Sequence, residues 1–152
     1  MARATPVPAP TARPPLRKLL DDGQAILLYD GVCGLCDRFV QFVLRHDTHG
    51  TLKFATLQGS YGAASRAASP ELATIDSLIL LTPSGAYVRS TAALEVLRYI
   101  GGLWAATLVL YALPRGLRDW GYDQIAASRY RVFGKYDSCP IPDASVRARF
   151  LD

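Results

Sequence analysis

The chain has 152 residues, with 17 Lys and Arg against 13 Asp and Glu, and half of its residues are hydrophobic. This composition predicts one globular domain. A disordered chain would carry too little apolar surface, and a membrane-spanning chain would carry an uncharged apolar stretch of about 20 residues. Three cysteines are too few, and odd in number, for a disulfide-stapled secreted scaffold. A redox pair, a metal site and buried thiols remain as alternatives.

The net charge of +4 comes from the N-terminal segment, because residues 1–18 hold four basic residues and no acidic one. The rest of the chain is formally neutral and lacks the basic cluster that a nucleic-acid surface needs. The first fifteen residues also hold five prolines, which prevent a regular helix. We expect a disordered leader over residues 1–22, with a transit peptide as the alternative, and a cytoplasmic domain over residues 23–152.

Apolar periodicity and turn signals predict seven elements for the first part of the domain. Buried or alternating apolar runs indicate the strands, and apolar residues at helical spacing or a high alanine content indicate the helices. In chain order, they are a strand at Gln24–Tyr29, a helix at Gly34–Asp47, a strand at Leu52–Leu57, a helix at Ser60–Ala68, strands at Ser77–Leu81 and Ala86–Arg89, and a helix from Thr91 to Gly101.

The order βαβαββα predicts an α/β, thioredoxin-like fold with a four-stranded mixed sheet and helices on both faces. Additional helices are expected at the C-terminal end. The uncharged segment Leu103–Leu113 is too short to cross a membrane and is followed by Pro114, so we expect a buried helix rather than a membrane-surface contact. A last helix is expected from Leu117 to about Val132, followed by an irregular tail that packs back on the domain.

Two cysteines, Cys33 and Cys36, lie between the first strand and the first helix. Their i,i+3 spacing in the first helical turn brings the sulfurs close enough for a disulfide. The free N–H groups and the dipole of the helix N-terminus stabilise a thiolate. We therefore predict thiol-disulfide exchange, with Cys33 as the nucleophile that forms a mixed disulfide and Cys36 as the resolving thiol.

A non-enzymatic module that binds a metal or senses oxidation through Cys33, Cys36 and Cys139 is the alternative function. His46 and His49 could extend such a metal site, but their spacing is tighter than usual, and His46 lies about 15 Å along the helix from Cys36. We expect both histidines to face solvent at the helix end. Cys139 is open to three interpretations, as a second resolving thiol, a third metal ligand or a buried thiol.

Asp30, at the end of the first strand, has two equally weighted interpretations. Its carboxylate could accept a proton from Cys36, or it could hold an Asx-type turn before the helix. The chain has no G-x-G-x-x-G sequence after a strand, so no bound NAD or FAD is expected.

The segment Tyr29–Cys36, an aspartate followed closely by two cysteines, resembles the motif of the DCC family of thioredoxin-like thiol-disulfide oxidoreductases. The resemblance covers nearly everything from about Ala25 onward. It implies a thioredoxin-like fold, Asp30, Cys33 and Cys36 as motif residues, and redox chemistry on protein or small-molecule disulfides with an unidentified electron donor. Further matching residues are Phe39, Val43, Asp47, Phe54, Ala55, Gln58, Ala92, Leu97, Arg129, Tyr130, Phe133, Gly134, Cys139, Arg147 and Phe150.

The motif departs from that of thioredoxin itself. Thioredoxins carry W-C-G-P-C, whereas Val32 precedes the first cysteine here and Leu35 takes the place of the proline. Thioredoxins also place a cis-proline before the third strand, where this chain has Ile75-Asp76-Ser77. Substrate docking is therefore expected to differ.

Overall fold

The computed structural model describes residues 22–47, 49–134 and 143–151, so the predicted leader lies outside the described residues except for Asp22. One mixed sheet forms the centre of the fold, and its strands are β1 (Ala25–Tyr29), β2 (Leu52–Thr56), β3 (Ile79–Thr82) and β4 (Gly85–Val88). The strand order is β2-β1-β3-β4. β1 is parallel to β2 and antiparallel to β3, and β3 is antiparallel to β4. The predicted α/β fold with a four-stranded mixed sheet is confirmed.

The described residues form five α-helices: α1 (Gly34–His46), α2 (Ser60–Ala68), α3 (Pro70–Ala73), α4 (Arg89–Ile100) and α5 (Arg115–Phe133). Only α3 was not expected from the sequence. It is a single turn that begins at a proline, the residue type best suited to the first position of a helix.

The two faces of the sheet bury alternate residues of β1, as the twofold repeat of a strand requires. Leu27 packs in a cluster with Val40 of α1 and Val96 of α4. Ile26 packs in a second cluster with Leu72 of α3. The prediction of helices on both faces is therefore confirmed.

The predicted buried helix at Leu103–Leu113 is wrong. Gly102–Ala112 form a 3-10 helix in which no residue is buried, and Leu103 is 93% exposed. The sheet face on this side is already covered by α1 and α4, so the segment packs on the outside of those helices. Trp104 contacts Phe42 of α1 edge-on at 4.7 Å between ring centroids. Leu108 and Tyr111 are half-buried, while Val109 and Leu110 are exposed.

The end of the chain packs back on the sheet, as the sequence predicts, over the described residues 143–151. The ring of Phe150 stacks on Phe54 of β2, with 5.3 Å between centroids, and the Leu151 N–H donates to the carbonyl of Phe54. Arg149 forms an ion pair with the buried carboxylate of Asp47. No helix among the described residues combines the length and apolar character needed to cross a membrane.

Candidate active site

The two cysteines occupy the turn that joins β1 to α1. Cys33 has an extended backbone and caps α1, and its Sγ accepts a hydrogen bond from the Cys36 N–H at 3.4 Å. The Cys33 N–H donates to the carbonyl of Asp30 at 3.2 Å, which closes the turn. Both thiols are free, Cys33 is wholly buried and Cys36 is 6% exposed. The first sulfur thus lies at the N-terminus of the helix, where N–H groups favour negative charge.

The second thiol, Cys36, is held in its protonated form. Burial, followed by the hydrogen bond and the charge of Cys33, raises the pKa of Cys36 to about 12. The charge of Arg129 and a backbone hydrogen bond from Asp30 act in the opposite direction. At neutral pH Cys36 is therefore a thiol, available to act only when it loses its proton.

Asp30 is the centre of a buried hydrogen-bond network behind this turn. Its Oδ1 accepts from the Val32 N–H at 3.1 Å, which is the predicted Asx-type turn, and from Gln58 Nε2 at 2.8 Å. Its Oδ2 accepts from Arg129 at 3.4 Å and from the hydroxyl of Tyr130. The Asx turn is present, and proton transfer from Cys36 to Asp30 stays a prediction.

Arg129 has no role in the sequence-based prediction, yet it joins three parts of the site. Its side chain is nearly fully buried, and its Nη2 lies 3.4 Å from Asp30 Oδ2, 3.2 Å from the Asp76 carbonyl and 3.0 Å from the Tyr130 hydroxyl. Although burial lowers the pKa of Arg129, its hydrogen bond to Tyr130 and the charges of Tyr130, Cys36 and Cys33 outweigh that effect and raise it. A permanent positive charge thus lies beside the thiol pair.

The loop that stands where thioredoxins have a cis-proline is tied to α5 by polar contacts. Arg129 donates to the Asp76 carbonyl, and the Leu78 N–H donates to the Tyr122 hydroxyl at 3.2 Å. Burial is the main cause that raises the pKa of Tyr122, so this hydroxyl stays protonated. The C-terminal helix therefore supports the loop before β3.

Gly34, between the two cysteines, allows the end of α5 to approach the turn closely. Its N–H donates to the carbonyl of Gly134 at 3.2 Å. A Cβ atom at this position would clash with the carbonyl oxygen of Phe133. Only glycine fits this approach, and the end of α5 lies directly against the Cys-Gly-Leu-Cys turn.

The histidines of the alternative metal site lie away from the cysteines at the other end of α1. His46 is exposed, and its Nδ1 donates to the carbonyl of Phe42 at 2.8 Å, while His49 is also exposed. Within the part of the chain that the structure describes, no group of three or more His, Cys, Asp or Glu could hold a metal ion. Cys139 lies outside the described residues.

Comparisons with known proteins agree with this geometry. A family model described as DCC1-like thiol-disulfide oxidoreductase matches residues 27–135, which is more than half of the chain and includes Asp30, both motif cysteines and Arg129. The chain belongs to this family. The DCC resemblance inferred from the sequence is thereby confirmed.

Two similar proteins match most of this DCC family chain. The uncharacterized protein YuxK of Bacillus subtilis is 36% identical over 127 residues, which cover 83% of this chain and 93% of that protein. A chloroplastic DCC family protein of Arabidopsis thaliana is 33% identical over 123 residues, which cover 80% of this chain and 72% of that protein. No solved structure matches the chain.

Proposed function

We propose that the protein is a thiol-disulfide oxidoreductase in which Cys33 is the nucleophile and Cys36 the resolving thiol. The observation that carries this proposal is the asymmetry of the pair. Cys33 Sγ caps α1 and accepts the Cys36 N–H, whereas burial and Cys33 hold Cys36 protonated. A thiolate at the helix N-terminus and a neighbouring thiol are what the two successive exchange steps require.

In the first step the Cys33 thiolate attacks one sulfur of the substrate disulfide, and the other sulfur leaves as a thiolate that takes up a proton. In the second step Cys36 loses its proton and attacks Cys33 Sγ, which releases the second substrate sulfur as a thiol. The substrate disulfide is reduced to two thiols, and the Cys33–Cys36 disulfide forms. A dithiol donor restores the pair by the reverse exchange.

Asp30 is proposed as the catalytic group that takes the proton of Cys36. The carboxylate lies in the same buried turn, and Arg129 and Gln58 hold it in place. Arg129 acts as a positioning residue, since it fixes Asp30 and its charge lowers the pKa of Cys36 against the effect of burial.

The proposed substrates are disulfides of proteins or small molecules, and the proposed compartment is the cytoplasm, where the reducing poise favours reduction of substrate. Because Cys33 is wholly buried and the end of α5 lies against Gly34, we also infer that this end of α5 moves aside before a substrate reaches Cys33.

The test is the thiol-disulfide equilibrium of the Cys33–Cys36 pair in defined glutathione buffers, read by differential alkylation and mass spectrometry in a Cys139→Ser background. We expect a reversible internal disulfide. Cys33→Ser is expected to abolish exchange with a disulfide substrate, and Cys36→Ser to accumulate a mixed disulfide on Cys33. Turnover that survives Cys33→Ser would refute the proposal. Thiols that react only after a chelator is added would favour the metal-binding alternative.

A further inference from the structure

A small pocket opens beside the second motif cysteine. Its volume is about 170 Å³, and Cys36 forms part of its wall. The other walls come from α1, from the loop before β3, from α4 and from α5. The apolar residues in these walls include Leu35, Phe39, Leu78, Ala93 and Ala126.

The size of the pocket limits what it can hold. A cavity of about 150 Å³ in a protein core accommodates a benzene ring. A pocket of about 170 Å³ therefore holds one branched aliphatic or aromatic side chain and little more. Its apolar walls would remove the surface of such a side chain from water, which favours binding.

The pocket offers no unpaired charge to a ligand. Arg129 contributes to the wall, but its guanidinium is paired with the buried carboxylate of Asp30. A charged substituent entering this pocket would lose its hydration without gaining an unpaired partner charge. Glutathione carries a carboxylate on each side of its cysteine, so the pocket is poorly matched to glutathione disulfide.

The position of the pocket indicates which part of a substrate enters it. Cys36, whose proposed role is to release the second substrate sulfur, forms part of the wall, so the group in the pocket must lie close to the substrate disulfide. In a polypeptide disulfide, the side chain of a residue next to the cysteine is an apolar group of the right size at that position. Glutathione disulfide has no such side chain.

We propose that this pocket is the substrate subsite of the exchange reaction and that it selects polypeptide disulfides with a branched or aromatic residue next to the cysteine. This inference rests on the proposed function, because the substrate disulfide must come within reach of Cys33. It adds a substrate class that the cysteine motif by itself does not specify.

The experiment compares two disulfide-linked peptides that differ only in the residue after the cysteine, Leu in one and Ser in the other. We expect kcat/KM for the Leu peptide to exceed that for the Ser peptide by about 10-fold to 100-fold, as burial of one apolar side chain allows. Glutathione disulfide is expected to be the poorest of the three substrates.

Pocket variants test whether this site causes the preference. Ala126→Phe fills the pocket from α5, and Ala93→Leu fills it from α4, so either is expected to bring the ratio of the two peptides close to one. Ala127→Phe is the matched control, since Ala127 is exposed on the same helix, and it is expected to retain the full ratio. Circular dichroism establishes that each variant is folded.

The outcomes separate the two proposals. Exchange with equal kcat/KM for both peptides, or a Leu preference that both filled variants retain, overturns the subsite and leaves the oxidoreductase intact. A complete lack of exchange with every disulfide, in protein whose thiols are shown to be free, overturns the proposed function itself.

Discussion

The Cys33–Cys36 turn buries charged side chains, whereas the apolar segment that precedes α5, Leu103–Leu113, leaves large hydrophobic side chains exposed. At the turn, Asp30 is 3% exposed and Arg129 is 5% exposed. In the segment, Leu103 is 93% exposed. In α5, which follows the segment, Trp120 is 62% exposed. Among the described residues, the exposed large hydrophobic side chains all fall between Leu103 and Val132. Hydropathy alone therefore does not decide which residues of this chain are buried.

Partners and available space explain the difference. Each buried charge at the turn has a partner of opposite sign and several hydrogen bonds, which offset the cost of removing it from water. The apolar segment begins after Gly101 and Gly102, which both have positive φ and end α4. The face of the sheet on that side is covered by α1 and α4, so no core space remains for the segment. Substitutions of the buried charged residues at the turn are thus expected to lower stability strongly. Substitutions in the exposed segment are expected to change it little.

The largest expected effect is in thiol reactivity. In a Cys33→Ser, Cys139→Ser variant, burial keeps the pKa of Cys36 raised, because burial is the first cause of its rise to about 12. Since the thiolate is the reactive form, alkylation of Cys36 by iodoacetamide should rise about tenfold per pH unit from pH 7 to pH 10 without a plateau. The measurement is the alkylation rate at each pH.

The matched control places one cysteine in the exposed segment, as Leu103→Cys in a chain without the three native cysteines. Its ordinary pKa of about 8.5 gives a plateau above about pH 9 and, at pH 7, a rate more than about tenfold higher than that of Cys36. A plateau for Cys36 near pH 9 would mean that the Cys33–Cys36 turn is as open to solvent as the segment.

The next largest effect is on stability, through the buried ion pair. Arg129→Gln leaves the Asp30 carboxylate buried without its cationic partner, so we expect the free energy of unfolding to fall by about 3–5 kcal/mol. Arg131→Gln, on the exposed side of the same helix, should change it by less than about 0.5 kcal/mol. Urea denaturation measures both variants, and similar losses in the two would contradict the role of the buried pair.

A smaller effect on stability is expected from Gly34→Ala. Gly34 is the residue at which the end of α5 contacts the Cys33–Cys36 turn. The added Cβ would displace the carbonyl of Phe133, at a cost of about 1–3 kcal/mol, and alkylation of Cys33 should become faster as the end of α5 moves away. Gly121→Ala is the control, because nothing lies within 4 Å of its Cβ position. In the helix interior it should stabilise the protein by about 0.5–1 kcal/mol. Unchanged alkylation of Cys33 in Gly34→Ala would show that α5 does not limit access.

The sheet and its helices could be predicted because local patterns carry the necessary information. Every residue of β1 is buried, and the continuous apolar run in its sequence predicts this. The sequence of α1 shows helical apolar spacing from the second cysteine onward. The placement of Cys33 and Cys36 at the start of α1 follows from the same patterns. These features depend on residues that are close together in the sequence.

The rest of the site depends on contacts between distant residues. Arg129 and Tyr130 reach Asp30 across 99 and 100 positions, and no periodicity in either segment indicates that contact. The family resemblance includes Arg129 and Tyr130 among its matching residues but assigns no function to either. The apolar segment was misjudged for a related reason: its composition is that of a core helix, but the space that a core helix needs was already taken by α1 and α4.

The smallest expected effect is in the apolar segment itself. Leu103→Ala removes a side chain that is 93% exposed, so the free energy of unfolding should change by less than about 0.5 kcal/mol. The same substitution at the wholly buried Leu80 of β3 removes core packing and should cost about 2–5 kcal/mol. Thermal or urea unfolding of the two variants makes the comparison. A loss of more than about 1 kcal/mol at Leu103 would mean that this side chain is buried in solution, as the hydrophobic composition of the segment predicts for a core helix.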